Sequence, residues 1–245
     1  MTNKAVLILG ARSDMALAIA HRFAKVGHPL QLAARTPKTL EAERNDIALR
    51  YNVDVTLHDF DALDTGSFTG FIDTLPVLPH IAVSAVGYMG EQEENEADLS
   101  AATTVLRSNF EGPALIFAEL ANRFAARGSG TLVGISSLAG ERGRATNYVY
   151  GSPKPGYTAI LSGLRNLLVK EGVHVVTVLP WFVATKMTEE MDLPEKLTAQ
   201  PEEVAEAVHR AVGAGKNVIY VRRIWQLVML IIRNIPENIF KKMEI

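Results

Sequence analysis

The sequence predicts an α/β domain built on a doubly wound parallel sheet of about seven strands, with helices on both faces. Three observations carry this. Short apolar runs alternate with longer stretches of helical period from one end of the chain to the other. The runs are continuously apolar rather than alternating, as strands covered on both faces must be. The first of them, Ala5-Val6-Leu7-Ile8-Leu9, ends in a glycine turn that opens directly into a helix.

Taken in order, strands are expected over 5–9, 30–34, 54–57, 81–85, 131–135, 174–179 and 218–221. Helices are expected over 15–26, 40–51, 67–74, 99–109, 114–126, 148–170, 201–214 and 222–232. No repeat, low-complexity stretch or Pro/Gly-rich linker divides the 245 residues, so 1–245 is read as one domain. Its last part, 222–245, is expected to form an apolar and basic helical tail. The polar stretch with Glu91, Glu93, Glu94, Glu96 and Asp98 reads as a solvated loop or helix start.

Hydrophobic residues make up 48% and charged residues 21%, which suffices for a sizeable core. The net charge of -2 gives no electrostatic case for a nucleic-acid partner. The absence of cysteine excludes disulfides, thiolate nucleophiles and cysteine metal sites, and fits a reducing compartment. The six histidines are scattered, none at the spacing of a metal pair, so no metal is expected. The first apolar run is too short for a signal sequence and is read as a strand, so the protein is expected to be cytoplasmic.

The first turn reads Gly10-Ala11-Arg12-Ser13-Asp14-Met15-Ala16. A strand, a tight glycine turn and a helix in this order form the corner where a three-layer Rossmann fold sets a pyrophosphate on a helix N-terminus. Two further glycines of the usual fingerprint are replaced here by Asp14 and Ala16. Ala16 is still small, and Asp14 brings a carboxylate near the phosphate position. The second strand ends at Arg35. An acidic residue there would take the ribose 2′-hydroxyl, whereas an arginine suits a 2′-phosphate. Arg12 and Arg35 together favour NADP(H), with NAD(H) left open.

The strand over 131–135 runs into Ser136-Ser137, Tyr150 follows thirteen residues after Ser137, and Lys154 stands four beyond Tyr150. A helix puts Tyr150 and Lys154 on one face. A phenol is a poor proton acceptor at neutral pH, and a nearby ammonium favours the phenolate. A serine at the neighbouring strand end can bond a substrate oxygen as its charge changes. Singly, each residue reads as a cap, a half-buried aromatic or a surface charge. The ordered trio points to proton transfer at a carbonyl or alcohol.

On these residues, together with Asp59 after the third strand, Ser84-Ala85-Val86-Gly87, Asn109 with Gly112, and Pro180 followed by Thr185, the chain resembles the short-chain dehydrogenases/reductases from end to end. The resemblance implies hydride transfer at a nicotinamide ring. Tyr150 would protonate the carbonyl oxygen, Lys154 would hold the ribose and depress the Tyr150 pKa, and Ser137 would orient the substrate. Asn109 would hold a relay water. Gly10, Arg12, Ser13, Asp14 and Met15 would line the phosphates, with Arg35, Asp59 and Phe60 at the adenosine end. Gly87, Pro180, Val183 and Thr185 would lie along the nicotinamide end. Within the family, several stretches, Asp59 to Thr65 among them, are similar to reductases of a decaprenylphosphoryl 2-keto-sugar. That likeness implies a keto-sugar on a polyprenyl phosphate as substrate. The other readings are a general carbonyl/alcohol oxidoreductase with a soluble substrate and a cofactor-binding sensor without catalysis.

Three places depart from the family pattern. Lys154 lies between Pro153 and Pro155, which are best placed in a helix's first turn; this sets Tyr150 at or just before the helix start and threatens the orientation of Lys154. Trp181 follows Pro180 where a glycine is usual, and Ser84-Ala85 replaces a pair that is usually asparagine. In the tail, Arg222-Arg223 and Arg233 flank nine apolar-rich residues, too few to span a bilayer. This segment suits either a helix packed on protein or a surface-lying anchor, which would hold the protein peripherally at the inner face of a membrane. A homodimer or homotetramer is expected from the fold class.

Overall fold

The computed structural model describes residues 4–189 and 191–243; residues 1–3, 190 and 244–245 of the expected domain lie outside it. Seven strands form: β1 (Val6–Leu9), β2 (Leu30–Ala34), β3 (Val55–Asp59), β4 (Ile81–Ser84), β5 (Gly130–Ile135), β6 (Val173–Leu179) and β7 (Val218–Tyr220). They make one sheet in the order β3-β2-β1-β4-β5-β6-β7, with every neighbouring pair parallel. This is the three-layer Rossmann arrangement that the sequence predicts. The order reverses between β1 and β4, the point at which open parallel sheets leave a crevice beyond their carboxyl ends.

Helices cover both faces: α1 (Asp14–Ala24), α2 (Glu41–Tyr51), α3 (Phe68–Asp73), α4 (Gln92–Ala97), α5 (Leu99–Leu106), α6 (Gly112–Arg127), α7 (Tyr148–Gly151), α8 (Pro153–Leu168), α9 (Pro201–Gly213), α10 (Ile224–Arg233) and α11 (Glu237–Phe240). Successive strand residues point to opposite faces, so each strand feeds two cores. Val6, Ile8, Leu30, Leu32, Val133, Val176 and Val178 pack with Ile19 and Phe23 of α1, Ile47 of α2, and Val204 and Val208 of α9. Leu7, Leu9, Ala82, Leu132 and Val175 pack with Phe71 of α3, Phe117 and Phe124 of α6, and Tyr157 and Leu161 of α8. A third, smaller cluster of Leu138, Leu179, Trp225 and Met229 seats α10 beyond the end of β6.

Four local expectations need correction. The helices expected over 99–109 and 114–126 are one rod, in which α5 passes through a π turn, Arg107–Glu111, into α6. Pro113 has no N–H to continue an ordinary helical ladder, and the wider turn absorbs this. The single helix expected over 148–170 divides at Ser152, because Pro153 takes the first position of α8. The acidic stretch expected as a loop or helix start contains α4, with Asn95 buried and its Nδ2 donating to the Met89 carbonyl at 3.1 Å. Arg222 adopts a left-handed backbone (φ 63°), so the tail helix starts at Ile224 rather than at 222. No helix among the described residues is long and apolar enough to cross a membrane.

Candidate active site

The carboxyl ends of β1, β2, β4, β5 and β6 all open onto one edge of the sheet. Two cavities meet along that edge, of about 540 Å³ and about 250 Å³, and they share Arg12, Ser13, Ala85, Val86, Gly87 and Lys186.

Gly10 turns the chain out of β1 at φ +78°, and a Cβ there would stand 3.0 Å from the backbone of Ala85 and Val86. Glycine is required on both counts. Ser13 then caps α1, its Oγ accepting the Ala16 N–H at 3.1 Å. Asp14, the first residue of that helix, accepts the backbone N–H of Lys186 on Oδ2 at 2.7 Å. The carboxylate is therefore bound to the loop that follows β6. Arg12 and Arg35 are exposed on the wall of the larger cavity, and neither has an ion-pair partner among the described residues. Phe60, Asp61, Ala62 and Leu63 form the opposite wall. Asp59, expected at this end, closes β3 opposite Ala34, is exposed and stays off that wall.

The smaller cavity gathers Asp14, Met15, Ser137, Tyr150, Lys154, Pro180, Val183 and Thr185. β5 delivers the two serines. Ser136 is buried, its Oγ donating to the Lys154 carbonyl at 3.2 Å and sharing a 2.8 Å hydrogen bond with Thr158. Ser137 accepts the Ala139 N–H at 3.1 Å and opens a short 3₁₀ turn. Thr185 caps a second such turn, and Val183 joins the chain to Ala199 by an isolated bridge.

Pro153 and Pro155 leave Lys154 in place. Both lie in the first turn of α8, where missing N–H groups have no helical partner to lose. Lys154 is 3% exposed, and its Nζ lies 5.0 Å from the centre of the Tyr150 ring. The trio thus converges as its spacing predicts. The expected depression of the phenol is not found. Burial pushes the Tyr150 pKa up to about 12, although the Ser137 hydroxyl draws it downward. Burial also pushes the Lys154 ammonium down to about 7. Loss of hydration is the main cause of both shifts.

Asn109 sits on the π turn behind this cavity rather than in its wall, fully buried. Its Nδ2 donates to the Tyr88 carbonyl at 2.6 Å and the Val105 carbonyl at 2.8 Å. Its Oδ1 has no partner among the described residues. A Cβ on Gly87 would stand 3.2 Å from that Oδ1 and 3.7 Å from Lys154 Nζ, so this stretch of backbone runs close to both groups.

Sequence reasoning missed one wall residue, Lys186, and one residue packed on a wall residue, Arg144. Lys186 bridges the cavities, and Arg144 lies with its guanidinium 4.2 Å over the Trp181 ring. Neither belongs to a recognisable motif. Trp181 itself packs at a tilt against Phe182 and Trp225, with ring centres at 5.0 and 5.3 Å.

Residues 4–196 match the model of the family described as short chain dehydrogenase. An uncharacterized oxidoreductase of Mycobacterium tuberculosis is 33% identical over 242 residues, covering 97% of this chain and 96% of that protein. An NADP-dependent 3-hydroxy acid dehydrogenase of Schizosaccharomyces pombe is 25% identical over 234 residues, covering 89% and 90%. Among solved structures, a short-chain dehydrogenase from Sphingobium yanoikuyae in complex with NADPH superposes with a TM-score of 0.80 at 21% identity, covering 96% of this chain and 97% of that one.

Proposed function

This chain belongs to the short-chain dehydrogenase family, and from that premise we propose that it is an NADP(H)-dependent oxidoreductase that interconverts a carbonyl and an alcohol, with Tyr150 carrying the proton. The observation that carries it is the convergence of Ser137, Tyr150 and Lys154 in one cavity continuous with the Gly10 turn.

The cleft suits a dinucleotide. Gly10 lets backbone approach closely, the N-terminus of α1 offers N–H groups, and the unpaired Arg12 and Arg35 suit a ribose 2′-phosphate. The bound cofactor supplies the hydride. Ser137 orients the substrate oxygen, and Tyr150 delivers its proton to that oxygen. A phenol pushed up to about 12 holds the proton that reduction of a carbonyl oxygen requires. Lys154 and a water held at Asn109 Oδ1 replace that proton from solvent. NADP-linked relatives and neighbours support the cofactor choice.

The test is NADPH oxidation by purified protein across a panel of ketones, hydroxy acids and keto-sugars. Turnover that Tyr150→Phe lowers by about 100-fold, with NADPH affinity unchanged, is expected. No turnover of any carbonyl overturns the proposal.

A narrower reading, reduction of a keto-sugar carried on a polyprenyl phosphate, has one structural observation in its favour. α10 buries Trp225 and Met229 but exposes Ile224, Leu227, Leu230 and Ile231, the last two at 61%. Arg223, Lys241 and Lys242 lie nearby and exposed. An apolar helix face with basic neighbours suits an anionic lipid surface. Flotation of the full chain with anionic liposomes is expected, and protein left at the bottom of the gradient removes this reading.

A further inference from the structure

The smaller cavity holds about 250 Å³. On the oxidoreductase reading, the nicotinamide end of the cofactor and the carbonyl to be reduced must both enter it. Small-molecule sites usually offer about 300–1,000 Å³, so the room left beside Ser137 and Tyr150 is decided by the side chains of the wall. The bulkiest of them is Trp181.

Trp181 has nowhere to retreat. Its ring centre lies 5.0 Å from that of Phe182 and 5.3 Å from that of Trp225, and the Arg144 guanidinium stands 4.2 Å over its ring. Trp225 is itself buried, packed with Leu138, Leu179 and Met229. Leu138 follows Ser137, and Leu179 precedes Pro180. The cluster behind Trp181 therefore also backs the two segments that leave β5 and β6 to line the cavity. A close-packed aromatic cluster gives little way to a group pressed against it. Met15 and Met187, elsewhere in the same wall, are unbranched and adapt by bond rotation. One side of the cavity is thus stiff, and the other is adaptable.

We propose that Trp181 sets the size of the substrate, admitting a carbonyl with one slender flank, no bulkier than a methyl or hydroxymethyl group, and turning away ketones that are bulky on both sides. The size filter rests on the oxidoreductase reading above and names the class of substrate for that site. Trp225 is a positioning residue, since it stands behind the wall and acts by holding the Trp181 ring.

The test uses the isomers 2-octanone, 3-octanone and 4-octanone, in which only the shorter flank grows, from methyl to ethyl to propyl, while composition stays the same. A pocket that cannot widen discriminates a single methylene by roughly ten-fold or more, so kcat/KM with NADPH is expected to fall by at least about ten-fold from the first isomer to the last. Trp181→Ala is expected to level the three, chiefly by raising the value for 4-octanone, and Trp181→Phe, which keeps an aromatic ring in the wall, to give an intermediate order. Trp225→Leu leaves every wall side chain in place and is expected to shift the order in the same direction. Binding is read separately, from the emission of bound NADPH in a Tyr150→Phe background, where no turnover disturbs the complex. An order of isomers that neither Trp181 variant alters, or no binding of any isomer, overturns the size filter, and NADPH oxidation with other carbonyls then leaves the oxidoreductase reading standing. A size order in binding that Trp181→Ala removes, with no carbonyl reduced by the parent protein, supports the size filter and removes the oxidoreductase reading.

Discussion

The carboxylate of Asp14 accepts the backbone N–H of Lys186 at 2.7 Å, joining the start of the first helix to a loop 172 residues further along the chain. Asp14 occupies a position where the family fingerprint has a glycine, and Lys186 borders both cavities. One side chain thus fixes the distance between the Gly10 turn and the loop of Thr185. Asp14 also places a negative charge at the positive end of α1. Asp14→Ala is expected to lower stability by about 0.3–1 kcal/mol, the usual size of that dipole effect. It is also expected to free the loop, so that trypsin cuts after Lys186 several-fold faster. Asp14→Asn keeps an acceptor oxygen and should protect the loop nearly as well as the parent. Equal cleavage rates in all three proteins would show that the loop is held by other contacts.

The displaced pKa of Lys154 has a sign that can be measured. Its folded value is pushed down to about 7, whereas an unfolded lysine titrates near 10.4. Between those values the unfolded chain binds a proton that the folded chain does not, so stability rises with pH through this window. Below pH 7 the burial penalty of the ammonium is present in full. Lys154→Met is expected to flatten the rise of Tm between pH 7 and 9. An anionic dinucleotide brought into the cleft favours the ammonium. Near pH 8, NADPH binding should therefore draw a proton into the parent protein but not into Lys154→Met. Calorimetry in two buffers of different ionisation enthalpy reads this directly, and equal proton uptake in the two proteins would assign it to another group.

The sheet was legible because short, largely apolar runs alternate with helical stretches, as Leu30 to Ala34 does in spite of its buried Gln31. The catalytic trio was legible because Tyr150 and Lys154 carry their relation in their spacing. The break at Ser152 is announced by Pro153 and Pro155, which belong in a first helical turn and set Tyr150 just before it, although the helical period runs on across them. The π turn holding Asn109 has its trace in Gly112-Pro113, but a proline there reads equally as the start of a new helix, so 114–126 reads as separate from 99–109. Asp59 was placed at the adenosine end by family position, yet the chain turns after β3 and sets Phe60 and Asp61 on that wall instead. Arg144 and Lys186 escaped notice for a different reason. Each acquires its role from a residue far along the chain, Trp181 and Asp14 respectively, and nothing local announces such a pairing.

Gly134 shows how closely the catalytic helix is set against the sheet. On β5 it pairs with Ser84 on one side and Thr177 on the other. A Cβ there would stand 2.5 and 2.8 Å from the two Cδ atoms of Leu161 and 2.8 Å from the Tyr157 hydroxyl. Both side chains belong to α8 and are fully buried, so neither can swing aside into solvent. Gly134→Ala must therefore push α8 outward, and Lys154 at its start moves with it. Overpacking of this kind costs about 1–3 kcal/mol, and Tm should fall by roughly 2–4 °C for each kcal/mol in a chain of this size. Leu161→Ala removes two of the three close contacts at the expense of a cavity. In that background Gly134→Ala should be markedly less harmful, a coupling beyond the roughly 0.5 kcal/mol expected of independent sites. Additive effects in the double-mutant cycle would mean that the glycine serves the strand itself rather than the approach of the helix.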